Sequence, residues 1–324
     1  MPIDLSAIAT RTPLSNASLK AYNRDEQYLY PKLFPDKVVD KTLTAIYQYD
    51  DQILRLYETK NTTDAEAALI DWDAFRTSIT LEEHKIKAKI NPHEMANADA
   101  AVAAFDVDAA QSTGAAISIR KEHLAATLAT TASNFPSDLT SALSAGVRWN
   151  EAGGDPEANA MTAHAAIELR TGMKANALAI SSDAWRALRQ SPSFRDRVKF
   201  TNASGVVTTE AAMRLFDVEY LFIGSARYQS TRIGGTSNMT KFWADNALFF
   251  VYNPNLGMRD MGFGASYFRN KVVTRQYEDP RTGGVDGLVR YVETACEYKL
   301  AAGFVVSSSD TDFGAGYLFR TVYT

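Results

Sequence analysis

The sequence predicts an α+β fold, and three patterns carry that prediction. Residues 155–200 run as a helix, a short apolar strand and two short helices. Residues 85–90 alternate strictly between lysine and apolar side chains, which is the period of a β-strand. The C-terminal third favours strands and is predicted to contain three of them: Ser266–Gln276, Leu288–Ala301 and Gly316–Tyr323.

The composition is that of an ordinary globular protein. The chain has 324 residues, of which 46% are hydrophobic and 22% charged, so it can form two core-bearing units. A net charge of −4 argues against a dedicated nucleic-acid binder. Cys296 is the only cysteine, which excludes an intramolecular disulfide and a metal site built on several thiolates. We find neither a signal peptide nor an apolar run of the ~20 residues that a membrane span needs, so we expect synthesis in the cytoplasm.

Residues 1–49 show no sustained helical or strand period and are predicted to form an extended arm. Prolines interrupt the segment, yet it carries a cluster of aromatic residues: Tyr22, Tyr28, Tyr30 and Phe34. Such side chains need a surface to cover them, because aromatic rings contribute the largest apolar areas. The arm therefore packs either on its own domain or across a neighbouring subunit, and Tyr28, Tyr30 and Phe34 are the candidate anchors.

Residues 50–92 are predicted to form a long hairpin. Ile53–Thr59 is the expected outgoing strand and Lys85–Ile90 the return strand. The alternation places Ile86, Ala88 and Ile90 on one face and Lys85, Lys87 and Lys89 on the other. A two-stranded ribbon is marginal in water, so its apolar face needs a partner in the same chain or in the next subunit. The lysines form a solvated face that also discourages uncontrolled edge pairing.

The helices are predicted from their caps and from their apolar spacing. A long helix is expected over Asp108–Thr131, with Ile117, Leu124 and Leu128 on one face. A second helix over residues 155–172 has Asp155 as its N-cap and Gly172 after its last turn.

A buried strand is predicted at Ala177–Ile180, because four apolar residues follow one another there. Ser182 is the expected cap of the next helix, which places Trp185 and Leu188 in the core. Further helices are expected from Ser191-Pro192 to Phe200, and from Thr208 or Thr209 to Phe216. Two more strands are predicted at Glu219–Ile223 and Leu248–Tyr252.

The sequence shows no motif for catalysis, cofactor binding or metal binding. It lacks a phosphate-binding glycine loop, a dinucleotide-binding fingerprint and a nucleophile elbow. No two of the four histidines are spaced to bind a metal from one helix face. Asp310 and Asp312 resemble the start of a calcium loop but lack its third acidic residue and its glutamate. We therefore predict no catalytic, cofactor or metal residue, and we interpret Cys296 as a small buried hydrophobe.

The order of these elements resembles the Hong Kong 97-like shell fold of tailed-bacteriophage major capsid proteins. The most specific residues are the helix Thr162–Leu169, the strand Ala177–Ser181 and the helix Asp183–Leu188, followed near the C-terminus by Val292–Ala301. The resemblance implies an α+β fold with an N-terminal arm, an extended β-hairpin (the E-loop), a long spine helix, a peripheral domain and an axial domain. The implied boundaries are 1–49 for the arm, 50–92 for the E-loop, 93–150 for the peripheral domain with the spine helix, 151–290 for the axial domain with part of the peripheral sheet, and 291–324 for the C-terminal strands that complete the peripheral domain.

The resemblance also implies a function. Such a protein is expected to assemble with copies of itself into hexamers and pentamers, which form an icosahedral shell around double-stranded DNA without sequence-specific binding. Implied partners are a portal protein, a separate scaffold protein and a cement protein, and the implied location is the virion capsid after assembly in the host cytoplasm. Some relatives carry their own N-terminal scaffolding segment, and some cross-link a hairpin lysine to an asparagine; neither feature is recognisable here. The alternatives are an encapsulin-type compartment shell, which shares the fold, and a soluble α+β enzyme.

Overall fold

A computed structural model gives the fold of the chain. It describes residues 28–47, 76–91, 104–201, 207–231, 238–255, 260–269, 272–279, 289–303 and 313–323, together with residues 56, 57, 59, 60, 67 and 236. Both helices and strands occur along the described chain, so the predicted mixture of helix and sheet is confirmed. The helices are α1 (Tyr30–Leu33), α2 (Phe105–Thr130), α3 (Pro156–Thr171), α4 (Ser182–Gln190), α5 (Pro192–Thr201) and α6 (Thr209–Phe216).

The first sheet is built around a 14-residue strand near the C-terminus. This strand, β13 (Val289–Ala302), pairs along one edge with β4 (Glu82–Ile90). Along its other edge it pairs with β11 (Gly264–Phe268) and then with β12 (Val273–Asp279), and β1 (Asp36–Val38) lies parallel to β11. The single strand predicted at Ser266–Gln276 is therefore two strands that lie end to end on one partner.

The second sheet is the core of the other half of the chain. Its five strands lie in the order β5 (Thr140–Ala142), β14 (Gly316–Arg320), β10 (Ala247–Phe250), β6 (Ala177–Ser181) and β7 (Tyr220–Gly224). All five residues of β6 are buried, as the uniformly apolar sequence predicts. Two short strands, β8 (Arg227–Gln229) and β9 (Met239–Lys241), pair with each other in a separate two-stranded sheet.

The predicted hairpin has different strands from those expected. Its base is formed by β2 (Leu43–Tyr47) and β3 (Arg76–Thr80), which pair antiparallel and are connected by residues 48–75. The expected return strand Lys85–Ile90 belongs to β4 and pairs with β13, so that part of the prediction is wrong. The expected outgoing strand lies mostly outside the described residues, and Leu56, Tyr57 and Thr59 are in no strand. Period two revealed a strand but could not reveal its partner.

The caps of the central helices follow the sequence closely. Asp155 accepts a hydrogen bond from the backbone N–H of Ala158, and Gly172 ends α3 in the left-handed conformation, with φ of 67°. Thr208 caps α6 through the N–H of Ala211. The cap of α4 is Ser181 rather than Ser182, because it is the Ser181 hydroxyl that accepts from the N–H of Ala184.

The long helix α2 was predicted, but its buried face differs from the expected one. Ile117 is buried, whereas Leu124 and Leu128 are only half-buried at the edge of the core. The face that packs on the sheets consists mainly of small side chains, with two charged ones among them: Ala109, Ala110, Thr113, Gly114, Ile117, Ser118, Lys121, Glu122, Ala125, Ala126 and Ala129. Small residues allow the helix to lie close to β13, where the Thr113 and Thr294 hydroxyls are 2.8 Å apart.

Candidate subunit-contact surfaces

The candidate anchors of the N-terminal arm are buried in their own chain. Tyr28, Tyr30 and Phe34 belong to the main hydrophobic core, so the expectation that they bind a neighbour is wrong. The Phe34 ring packs edge-on against Phe263 and Phe313, with centroid distances of 5.7 and 5.9 Å. A Cβ atom on Gly264 would lie 2.5 Å from the Phe34 ring, so the glycine makes room for it. Three of the four clustered aromatics thus make internal contacts, and Tyr22 lies outside the described residues with the rest of residues 1–27.

A buried carboxylate holds this N-terminal segment in place. The two carboxylate oxygens of Glu122 accept hydrogen bonds from the backbone N–H groups of Leu29 and Tyr30, at 3.1 and 2.9 Å. The same carboxylate accepts a bond of 2.5 Å from Nε1 of Trp243. Burial raises the pKa of Glu122, and the three N–H donors partly oppose that shift.

The neighbouring Lys121 is also buried and also contacts the N-terminal segment. Its Nζ lies 2.9 Å from a carboxylate oxygen of Asp36, at the start of β1. The ammonium group also lies 4.9 Å from the centre of the Tyr30 ring and 5.2 Å from that of Tyr298. Neither Lys121 nor Glu122 was predicted to be buried, because a Lys-Glu pair in a helix is usually solvated. Their position on the apolar side of α2 was the available signal.

The predicted lysine row exists and is exposed. Lys85, Lys87 and Lys89 point to the side of β4 that faces away from α2. On the opposite side, Ala88 and Ile90 pack with residues of α2 and with Val292. The apolar face of this strand is therefore covered by its own chain, except at Ile86, which is 39% exposed.

Leu188 and Trp185 were both predicted to be buried in the core. The prediction is right for Leu188 and only partly right for Trp185. Leu188 is fully buried, as is Ala184 on the same face of α4. Trp185 is half-buried and packs at the margin of the core. Ala184 and Leu188 lie four residues apart and share the inward face of α4, whereas Trp185 lies one position round the helix from Ala184.

Helix α3 carries an exposed apolar face. Met161 and Leu169 are 62% and 86% exposed, and the alanines Ala158 and Ala165 are exposed between and beside them. The opposite side of the same helix is buried through Ala160, Ala163 and Ile167. A helix with apolar residues on both sides is typical of one that is covered on both sides.

The titratable groups in the described residues do not form a reactive site. Burial raises the pKa of the Cys296 thiol to about 12, so the thiol stays protonated at neutral pH. Burial also lowers the pKa of His84, whose ring stacks on Tyr298 at 4.4 Å. Among the described residues no group of histidine, cysteine and carboxylate side chains could hold a metal ion. No helix in the same part of the chain has the length and apolarity of a membrane span.

One open groove of about 620 Å³ lies beside α6 and the start of β7. Met173 and Met213 contribute its apolar lining, and Lys174 and Asp217 contribute an ion pair. The polar side chains that line the groove are exposed or half-buried, so no set of buried polar atoms converges on one ligand position. It suits contact with a protein surface better than binding of a small molecule.

The chain is similar in sequence to a protein of known role. No protein-family model matches the chain. The chain is 26% identical over 293 residues to the major capsid protein of Burkholderia phage BcepMu, an alignment that covers 87% of this chain and 91% of that protein. The chain resembles phage major capsid proteins. The resemblance predicted from the order of the elements is thus confirmed by an alignment over nearly the whole chain.

Solved structures show the same likeness in the fold. A phage-related protein from Bordetella bronchiseptica superposes with a TM-score of 0.74 at 23% identity, with 98% of each chain covered. A virus-like particle from Pyrococcus furiosus has a TM-score of 0.55 at 12% identity, with 95% of this chain and 98% of that chain covered. The phage-related protein is therefore much closer in fold than the virus-like particle.

Proposed function

We propose that this chain is the major capsid protein of a tailed bacteriophage. In this role it assembles with copies of itself into hexamers and pentamers, and these close into an icosahedral shell around double-stranded DNA. The observation that carries the proposal is the alignment with the BcepMu major capsid protein, which runs through 91% of that protein. A structural and not an enzymatic role fits the same likeness.

The architecture supports a Hong Kong 97-like arrangement. In that arrangement α2 is the spine helix, and it forms the peripheral domain together with the first sheet. The second sheet, with α3 to α6, forms the axial domain. The E-loop is then formed by β2, β3 and the connection between them. It runs from Leu43 to Thr80, whereas the sequence predicted residues 50–92. The proposed arm correspondingly ends before Tyr28, where the chain enters the core.

Two surfaces support assembly. The 48–75 segment is long enough to reach a neighbour, since each half of it spans up to ~45 Å when extended. The apolar outer face of α3 is a second candidate, because its exposed Met161 and Leu169 need a cover. Head-to-tail contacts in rings join unlike surfaces of two copies, so each surface needs a different counterpart on the next subunit.

The remaining partners follow from the proposed role. A portal protein, a separate scaffold protein and a cement protein are expected, and the location is the virion capsid after assembly in the host cytoplasm. A net charge of −4 suits a wall that encloses DNA without gripping it. The encapsulin-type shell is the less favoured alternative, because the relative that aligns with 87% of this chain is a phage major capsid protein.

Electron microscopy of negatively stained particles tests the proposal. The chain is expressed alone and together with its neighbouring genes, and closed shells are expected in at least one of the two preparations. A small soluble oligomer in both preparations would contradict the proposed function.

A variant that lacks the connecting segment refines the test. Residues 50–73 are replaced by Asn-Gly, which favours a tight turn and leaves β2 and β3 intact. We expect a folded, soluble subunit with an unchanged melting temperature that closes no shells. Normal shells from this variant would exclude the segment from assembly.

A further inference from the structure

A short stretch near the N-terminus contacts both sheets and the long helix. We call residues 28–38 the strap. Its Lys32 ammonium lies 5.9 Å from the centre of the Phe222 ring in β7, which belongs to the second sheet. At its other end the strap forms β1, which pairs with β11 of the first sheet. Between these contacts it binds α2 through Lys121 and Glu122.

A second element reaches the same part of α2. We call β8, β9 and the two residues that directly follow β9, Phe242 and Trp243, the β8–β9 ribbon. The His123 ring lies edge-on to Tyr228 of β8 and to Phe242, with centroid distances of 5.5 and 6.2 Å. The next residue, Trp243, donates to Glu122. Because His123 follows Glu122 in α2, the strap and the ribbon occupy the same turn of this helix.

The strap and the ribbon also meet at Gly224, the last residue of β7. A Cβ atom on Gly224 would lie 2.8 Å from Cδ1 of Leu29 and 2.9 Å from Cδ1 of Trp243. Both side chains are buried, with 3% of each residue exposed. The missing side chain of the glycine therefore allows one residue of the strap and one of the ribbon to lie against the end of β7.

The carboxylate of Glu122 holds both elements at once. It accepts the N–H groups of Leu29 and Tyr30 in the strap and of Trp243 in the ribbon. All three partners are donors, which fits an ionised carboxylate because that group only accepts. When one element leaves, the carboxylate loses donors, and water that enters to replace them weakens the contact with the other element. Contacts that share one buried group are therefore expected to depend on each other.

We propose that the strap and the β8–β9 ribbon open and close as one unit, with Glu122 as their shared clasp. Movement of the strap away from α2 removes two of the three donors and uncovers the Leu29 side of Gly224, so the Trp243 contact is weakened in turn. The coupling is reciprocal, because a coupling free energy acts equally in both directions. A partner that draws the N-terminal segment off α2 therefore loosens a ribbon that lies far away in the chain.

In the proposed shell protein, the coupling passes an event at the N-terminus to the half of the subunit that carries the second sheet. That consequence rests on the proposed function. The coupling itself is a property of the free subunit and can be measured without assembly.

Hydrogen exchange of the free subunit, measured by mass spectrometry, tests the coupling from both sides. Trp243→Phe keeps an aromatic ring and removes the indole N–H. The peptide that contains Leu29 and Tyr30 should then exchange roughly ten-fold faster. Leu29→Ala acts from the strap and should raise the exchange of residues 239–243 by roughly the same factor.

A third variant and a matched control complete the set. Gly224→Ala places a Cβ atom against both Leu29 and Trp243, so it should open the strap and the ribbon together. Trp185→Phe is the control, because it changes a half-buried indole in α4, outside both elements. Exchange in the strap and in the ribbon should stay at the wild-type level in this control.

Strand β6 is the internal reference, because all five of its residues are buried. Its protection should be unchanged in every variant, which shows that the opening is local. Wild-type exchange of the strap in Trp243→Phe, or of the ribbon in Leu29→Ala, would show that the two elements open independently and would overturn the proposal. Loss of protection in β6 together with the strap would also overturn it, because the whole subunit would then unfold. Failure of the wild type to form shells would contradict the proposed function and leave the outcome of this test unaffected.

Discussion

The carboxylate of Glu122 and the indole Nε1 of Trp243 form a hydrogen bond of 2.5 Å although they lie 121 residues apart in the chain. Glu122 belongs to the long helix α2, and Trp243 lies between β9 and β10. The same carboxylate accepts the backbone N–H groups of Leu29 and Tyr30. One side chain thus joins the N-terminal segment, the long helix and the second sheet.

Replacing Glu122 by alanine should destabilise the free subunit strongly. The change leaves three buried N–H donors without an acceptor, and each unsatisfied donor costs about 1–3 kcal/mol. We expect a loss of at least about 3 kcal/mol, measured by urea denaturation. Gln111→Ala, at an exposed position of the same helix, is the control and should stay within about 0.5 kcal/mol of the wild type. A loss no larger than that of the control would mean that water or another group satisfies the donors.

The N-terminal segment from Tyr28 onward should resist protease in the free subunit. Lys32 follows Tyr30 in α1, and its backbone lies between the buried Leu29 and Leu33. Trypsin should therefore fail to cut after Lys32 before assembly. Phe34→Ala removes a fully buried ring and should expose this site, with a loss of about 3–5 kcal/mol. Rapid cleavage after Lys32 in the unassembled wild type would contradict the packing of this segment on its own chain.

The two residues predicted for the axial core should differ in their effect on stability. Leu188→Ala empties a fully buried position and is expected to cost about 2–5 kcal/mol. Trp185→Ala should cost less than that, because the indole is only half-buried at the margin of the core. Melting temperatures of the unassembled variants measure both effects. An equal or larger loss for Trp185→Ala would restore the original expectation that the indole lies in the core.

Acid should destabilise the subunit through His164. Burial lowers the pKa of this histidine, whose Nε2 lies 2.8 Å from the carbonyl oxygen of Phe216 and donates to it in the neutral form. The unfolded chain binds a proton near the ordinary pKa of about 6.5, whereas the folded chain resists protonation. The stabilisation is therefore complete above the unfolded pKa and is lost as the pH falls below it.

Urea denaturation at several pH values between 7.5 and 5.5 tests this direction. The free energy of unfolding should fall less over that range in His164→Gln than in the wild type. Gln111→Ala removes no titratable group and should keep the wild-type slope. A wild-type slope in His164→Gln would assign the acid sensitivity to other groups.

The fold was predictable wherever it depends on local geometry. The caps Asp155, Gly172 and Thr208, the buried strand Ala177–Ile180 and the length of the long helix all follow from preferences that act over a few residues. The alternation at Lys85–Ile90 likewise predicted a strand and the separation of its two faces. The order of the elements also predicted a likeness to phage capsid proteins, and the alignment confirms that likeness.

The sequence by itself determined the type of the central helices, the buried strand Ala177–Ile180 and the two faces of Lys85–Ile90, because a period of 3.6 or 2 residues is a local property. Only the tertiary structure decided that Lys85–Ile90 pairs with Val289–Ala302, that Tyr28, Tyr30 and Phe34 enter the core of their own chain, and that Lys121 and Glu122 are buried. These contacts join residues that are far apart in the chain. The free energy that each contact contributes depends on the fit of shapes and charges between elements that come together only on folding. A local sequence pattern does not specify which distant residue a side chain or strand will contact. For that reason only the folded structure shows that β4 pairs with β13 and that Glu122 binds Trp243.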